Sequence, residues 1–183
     1  QFPWHVHPWL YEEMPEILRN AYIAIEDERF ETHIGIDIKR TIGSALKSAM
    51  FYLTGEGMVQ GGSTITQQLI KNTLLTNEVK VERKVKEIYL AISLEKKLSK
   101  EQILKAYLNT IPLGGYVYGV EAASKYYFEK PAMELTLPEA AFLAGLTQAP
   151  TTYSPYNPAN KDSPDVYLDR TKTVLMKMRD LGY

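Results

Sequence analysis

The chain has 183 residues, 45% of them hydrophobic and 23% charged, with a formal net charge of −1 at pH 7. This is ordinary globular usage at about the length of one domain, which excludes a disordered or collagen-like chain and leaves no global field directed at nucleic acid. Without cysteine there is no disulfide framework, thiol nucleophile or Cys-based zinc site, and His5, His7 and His33 do not supply a substitute.

In chain order the pattern is helical almost throughout. Ile17, Leu18, Ala21, Ile25 and Glu28 predict a helix entered through Pro15. Ile38, Ile42, Ala45, Leu46, Ala49 and Leu53 predict a second, which stops at the glycines of Thr54–Gly57. Thr64 with Gln67 forms a capping box that opens a helix through about Leu74. Val81, Val85, Ile88, Ala91, Ile92 and Glu95 keep the helical period. Ser99 with Gln102 opens a helix through Leu108, and Thr136 with Glu139 opens the one containing EAAFLAGL. The longest clean apolar run, Ala140–Leu146, is far short of the roughly 18–20 residues that span a bilayer. Residues 150–164, rich in proline, read as an extended surface connection. Ser163 and Pro164 read as N-cap and first turn of a last helix that Gly182 ends. No segment alternates as a strand does. The expectation is one mostly α-helical domain over residues 1–183. Gln1 with no signal-peptide pattern after it reads as the start of a piece whose anchor has been removed.

Five segments carry polar residues that helix formation does not ask for. Glu26, Asp27 and Glu28 stand at a helix end, where acids face the negative end of the macrodipole. One carboxylate there suits a base in a cleft; the ordinary structural reading is a solvated acidic turn, with Phe30 as a core plug and His33 satisfying a backbone carbonyl. Gly61 and Gly62 permit close approach or positive φ before a helix start able to bind an anion. Thr64, Gln68 and Lys71 then line one face. Arg83, Lys84 and Glu87 put two cations and a carboxylate within one turn. Arg83 and Glu87 alone read as a surface pair worth about 0.3–0.5 kcal/mol. Asn109 lies at a helix end before a glycine- and tyrosine-rich loop. Segments 103–123 and 135–155 look mainly structural.

Taken together and in this order, the segments closely resemble the peptidoglycan glycosyltransferase domain of class A penicillin-binding proteins and their monofunctional relatives, glycosyltransferase family 51. The family pattern EDxxFxxHxG matches Glu26, Asp27, Phe30, His33 and Gly35, and GGST[IL]TQQxxKN matches Gly61 to Gln68, Lys71 and Asn72. RKxxE matches Arg83, Lys84 and Glu87; YLN…G…GVxxAA matches Tyr107 to Asn109, Gly114, Gly119, Ala122 and Ala123; and LSLxEAAxLAGL…P matches Leu135 to Leu146 and Pro150. One departure is Val79, where many relatives carry arginine beside what is here Lys80.

The resemblance implies a lysozyme-like, mostly helical fold with a large lobe and a small membrane-facing jaw, about residues 34–60. It implies polymerisation of lipid II into β-1,4 glycan strands, with inversion and loss of undecaprenyl diphosphate. It carries Glu26 over as the base and Glu87 as a second catalytic carboxylate. Asp27, Ser63, Thr64, Gln67, Gln68, Lys71, Arg83, Lys84 and Asn109 carry over as diphosphate- and sugar-binding residues, with Phe30, His33, Gly61 and Gly62 in support. No cofactor is required and no metal ligand is assigned, while a divalent cation, Mg or Mn, at the diphosphate is left open. The implied partners are lipid II, the growing glycan chain, the membrane surface and cell-wall synthesis proteins, with inhibition by moenomycin-type phosphoglycolipids. The implied place is the outer face of the bacterial cytoplasmic membrane, with a transmembrane anchor and any transpeptidase domain outside this chain. Two other readings stand beside it: a lytic glycosidase of lysozyme type, and a non-catalytic helical module that binds anionic lipid. The apolar face of Ile38, Ile42, Ala45, Leu46, Ala49, Met50 and Leu53, flanked by Lys39, Arg40 and Lys47, suits a membrane interface; its alternative use is packing against the main body.

Overall fold

The helix-start signals are the parts of the sequence that the structure, a computed structural model, reproduces most closely. It describes residues 14–55, 61–75 and 80–183. Among them are nine α-helices and no strand, with a single bridge between Pro112 and Tyr118. The helices are α1 (Glu16–Glu26), α2 (Ile38–Thr54), α3 (Ile65–Thr73), α4 (Lys80–Glu95), α5 (Lys100–Thr110), α6 (Val120–Phe128), α7 (Leu137–Leu146), α8 (Pro150–Tyr153) and α9 (Asp165–Asp180). Residue contacts group the chain into two units, Gln1–Glu28 with Leu104–Tyr183, and Arg29–Ile103.

The first unit is built on α7. Its EAAFLAGL run is apolar on nearly every side, the mark of a helix buried all round, and Ala140, Ala141, Leu143, Ala144, Gly145 and Leu146 are all buried. The helix packs against α1, which contributes Leu18, Ala21 and Tyr22, and against α9, which contributes Val174 and Met178. Thr136 starts α7 as expected, its N–H and hydroxyl both donating to Glu139 Oε2 at 2.7 and 2.6 Å. α9 ends as expected at Gly182 (φ 82°). There the N–H of Tyr183 donates to the Met178 carbonyl and that of Gly182 to Arg179, the two bonds of a Schellman motif.

The second unit holds α2, α3, α4 and the start of α5. Thr64 and Gln67 exchange both bonds of the capping box at 3.1 and 3.0 Å. Asp37 caps α2, accepting from the Arg40 N–H at 2.9 Å and from Arg29 Nε at 2.8 Å. Burial pushes its carboxyl up, but the Arg40 N–H and the Arg29 guanidinium outweigh that and hold it below its ordinary value. Gly35 sits at φ +98°, and a Cβ there would lie 2.6 Å from the Ala91 carbonyl oxygen of α4. Both the conformation and the contact require glycine. Gly35→Ala should therefore lower stability by about 2–5 kcal/mol, read as a large drop in melting temperature.

One helix is added and three expectations are corrected. Residues 120–128, to which the sequence reading assigns no element, form α6, burying Val120, Ala123 and Ser124 on one face. The stretch 150–164 is not extended: it holds α8 and a 3₁₀ turn at Pro158–Asn160. Buried Asn160 ties the stretch together, donating to the carbonyls of Thr152 and Ser154 at 2.6 and 2.8 Å. Ser163 does not cap α9, because Pro164 already has helical dihedrals and takes the cap position without a side-chain bond. Gly61 has neither a positive φ nor a close neighbour, whereas a Cβ on Gly62 would lie 2.2 Å from Ser44 Oγ, so close approach is required only at the second glycine.

Candidate active site

Three successive acids end α1, and the structure treats each differently. Glu26, the last residue of α1, is half-buried, and its Oε1 accepts a hydrogen bond from the Thr147 hydroxyl. Asp27 is fully buried. Glu28 is exposed and pairs with Lys177 at 2.6 Å. Tyr22 and Tyr107 are fully buried and meet edge to face, with ring centres 6.2 Å apart. Burial holds both phenols well above their ordinary range, and the Glu26 carboxylate raises them further. They remain neutral.

In the second unit, α3 and α4 pack together and form a charged cluster. Glu87 is only 4% exposed. It accepts from Gln67 Nε2 at 3.0 Å and pairs with Lys84, whose ammonium also donates to Ser63 Oγ at 3.0 Å. A carboxylate this buried needs such donors. Its ion pair is with Lys84, three residues before it, and not with Arg83 as the helical spacing alone suggests. Arg83 is half-buried and Lys71 exposed.

A second network braces the same helix start. The Thr64 hydroxyl donates to the Gly35 carbonyl at 2.7 Å, and the Thr66 hydroxyl to Glu95 Oε1 at 2.6 Å. Lys100 bonds Glu95 Oε2 at 2.6 Å and the His33 carbonyl at 2.7 Å, and its ammonium lies 4.7 Å from the centre of the Phe30 ring. His33 Nδ1 accepts from the Gly35 N–H at 3.1 Å, so the ring also serves a backbone donor. The first turn of α3 is thus fixed to the 30–35 loop, to the middle of α4 and to the end of α4 by short side chains.

The sequence model of the Transglycosylase family matches residues 5–179. The chain belongs to that family. The chain is 59% identical over 172 residues to "Penicillin-binding protein 1A" of Clostridium perfringens strain 13, an alignment covering 94% of this chain and 25% of that protein. It is 56% identical over 174 residues to the protein of that name in Clostridium tetani, covering 94% and 22%. It is 46% identical over 176 residues to "Penicillin-binding protein 1F" of Bacillus subtilis strain 168, covering 96% and 23%. The chain therefore spans about a quarter of the length of these relatives.

Of the family-motif residues, Ser63, Gln67, Lys84 and Glu87 come together, and Phe30, His33 and Thr64 brace them. Asp27, Thr64 and Gln67 were expected to touch substrate, but all three are buried. Gln68 is half-buried, and Asn109 turns its amide back onto its own helix, donating to the Lys105 carbonyl at 2.8 Å. Val79 lies outside the described residues. Three polar residues outside the motifs were not foreseen, Glu95, Lys100 and Thr147, and Thr66 was matched within GGST[IL]TQQ but given no role. Their sequence signal is weak, since each sits at an ordinary helix position. Thr147, directly after the apolar run of α7, is the most conspicuous of them.

Proposed function

We propose that the chain is a peptidoglycan glycosyltransferase that polymerises lipid II into β-1,4 glycan strands by inverting displacement of undecaprenyl diphosphate. The observation that carries this reading is the family match over nearly the whole chain. A sugar 4-hydroxyl is a poor nucleophile until a base takes its proton, and Glu26 is that base. Undecaprenyl diphosphate leaves readily if its negative charge is met by preorganised cations. Lys84, held by Glu87 and Ser63, is one, and Lys71 and Arg83 are the others; the planar Arg83 fork suits phosphate oxygens. Glu87, being buried, acts by holding Lys84 and Gln67, as a positioning residue. Among the described residues no three His, Asp or Glu side chains gather to hold a metal ion.

The reading also expects the growing glycan chain and other cell-wall synthesis proteins as partners, and competition by moenomycin-type phosphoglycolipids. It is tested by incubating the chain with lipid II in detergent: glycan strands support it. Muropeptides released from purified wall polymer would instead mark a lytic enzyme, which needs an acid for a sugar-oxygen leaving group and has no use for the Lys84 cluster. A non-catalytic lipid-binding module would yield neither product.

The lipid-linked substrate requires the protein at the outer face of the cytoplasmic membrane, and α2 is suited to contact it. No residue of α2 is buried, and Leu46 and Met50 are each 63% exposed on the face that also carries Ile38, Ile42 and Leu53. Among the described residues no helix is long and apolar enough to cross a membrane, so this contact is interfacial. The jaw expected at about 34–60 would consist mainly of α2; its last residues, 56–60, lie outside the described ones. Leu46→Glu with Met50→Glu should cut binding to anionic lipid vesicles tenfold or more, because each large side chain adds about 1.5–3 kcal/mol when buried. The melting temperature should hold. Unchanged vesicle binding would remove α2 from the membrane contact.

A further inference from the structure

We infer that Thr147 is a positioning residue for the base Glu26, and that its one hydroxyl serves both charge states of that carboxyl group. The inference rests on the glycosyltransferase reading. Its starting point is local. α1 ends at Glu26, and α7 ends at Leu146 with Thr147 as its C-cap. Both helices therefore bring their C-terminal ends to this point. Such ends carry partial negative charge from carbonyls that lack an intrahelical partner. An ionised carboxylate is poorly placed there unless a donor meets it. Thr147 supplies one, its Oγ1 hydrogen-bonding Glu26 Oε1 across 121 residues of sequence.

The same Oγ1 lies 2.8 Å from the Ala144 carbonyl oxygen in the last turn of α7. A hydroxyl has one proton to donate and lone pairs to accept with. While Glu26 is ionised, the Thr147 proton points at Oε1. When Glu26 has taken the proton of the attacking sugar hydroxyl, its carboxylic acid donates that proton to Oγ1. The Thr147 proton then turns to the Ala144 carbonyl. No proton enters or leaves other than the one Glu26 accepts, and neither state leaves a donor without an acceptor. Thr147 thus fixes Glu26 before and after proton transfer with no movement of the backbone.

The test is Thr147→Val, which keeps the shape and removes the hydroxyl, compared with Thr147→Ser, which keeps the hydroxyl and removes the methyl. Lipid II polymerisation is followed over pH, with the melting temperature of each variant. Losing a hydrogen bond to a charged group should lower kcat about tenfold in the valine variant, with KM within about twofold of wild type by the same reasoning that only the base is affected. The acidic limb of its pH–rate profile should move to higher pH, because a donor to a carboxylate favours the ionised form. The serine variant should restore both kcat and the profile. A valine variant with wild-type kcat and profile overturns the inference, as does a serine variant as slow as the valine one. If wild type makes no glycan at all, the glycosyltransferase reading falls and this inference with it. If wild type is active and Glu26→Gln is not, while Thr147→Val is normal, only this inference falls.

Discussion

Glu26→Gln is expected to lower lipid II polymerisation by about 10²–10⁴-fold, the usual contribution of a positioned general base, while leaving the melting temperature nearly unchanged. The amide has the shape of the carboxylate and can still accept from the Thr147 hydroxyl, so packing and hydrogen bonding around α1 and α7 survive. What is lost is basicity. The amide also removes the charge that raises Tyr22 and Tyr107 beyond the effect of burial, but both phenols stay neutral with or without it. Glu28→Gln is the matched control. It lies two residues away and pairs at the surface with Lys177, an exposed contact of little energetic consequence. It should polymerise at the wild-type rate. Equal rates for the Glu26 and Glu28 variants would remove Glu26 from the chemistry.

The fold was legible where its determinants are local. The capping pairs Thr64–Gln67, Ser99–Gln102 and Thr136–Glu139 mark the starts of α3, α5 and α7 because both partners lie within one turn. Gly182 marks the end of α9 for the same reason. α6 was missed although Val120, Ala123 and Ser124 have helical spacing, because the glycines and tyrosines before it read as loop. Within the site, the motif residues announced themselves by type: acids at a helix end, a polar stripe, a cluster of cations. Their partners did not. Thr66 reaches Glu95 across 29 residues, and Thr147 reaches Glu26 across 121. Such bonds are set by how helices pack, and no periodicity within one helix encodes them. Within α4, spacing offers Glu87 both Arg83 and Lys84, and the structure takes Lys84; the bond from Gln67 of α3 is the one that no spacing within α4 announces.

That rearranged pairing makes the Lys84–Glu87 cluster separable into structural and chemical parts. Lys84→Met should cost stability, because it leaves the Glu87 carboxylate, 4% exposed, with the neutral Gln67 amide as its donor at 3.0 Å. The Lys84 side chain is itself 44% exposed, so solvent tempers the loss to about 1–3 kcal/mol. Adding Glu87→Gln removes the buried charge, and the double variant should regain most of that stability, since a neutral amide needs no counter-ion. Activity should behave differently. If Lys84 meets the charge of the departing diphosphate, its removal should lower kcat by about 10²–10³, in line with the loss of one preorganised electrostatic contact, and the double variant should be no faster than Lys84→Met. Glu87→Gln alone should fall between, because Lys84 remains but loses its ion pair and keeps only neutral acceptors, Ser63 Oγ and the amide oxygen. Melting curves and lipid II turnover on the four proteins complete a double-mutant cycle. Recovery of turnover together with stability in the double variant would show that Lys84 serves only to neutralise Glu87. Recovery of stability alone assigns the ammonium to the reaction.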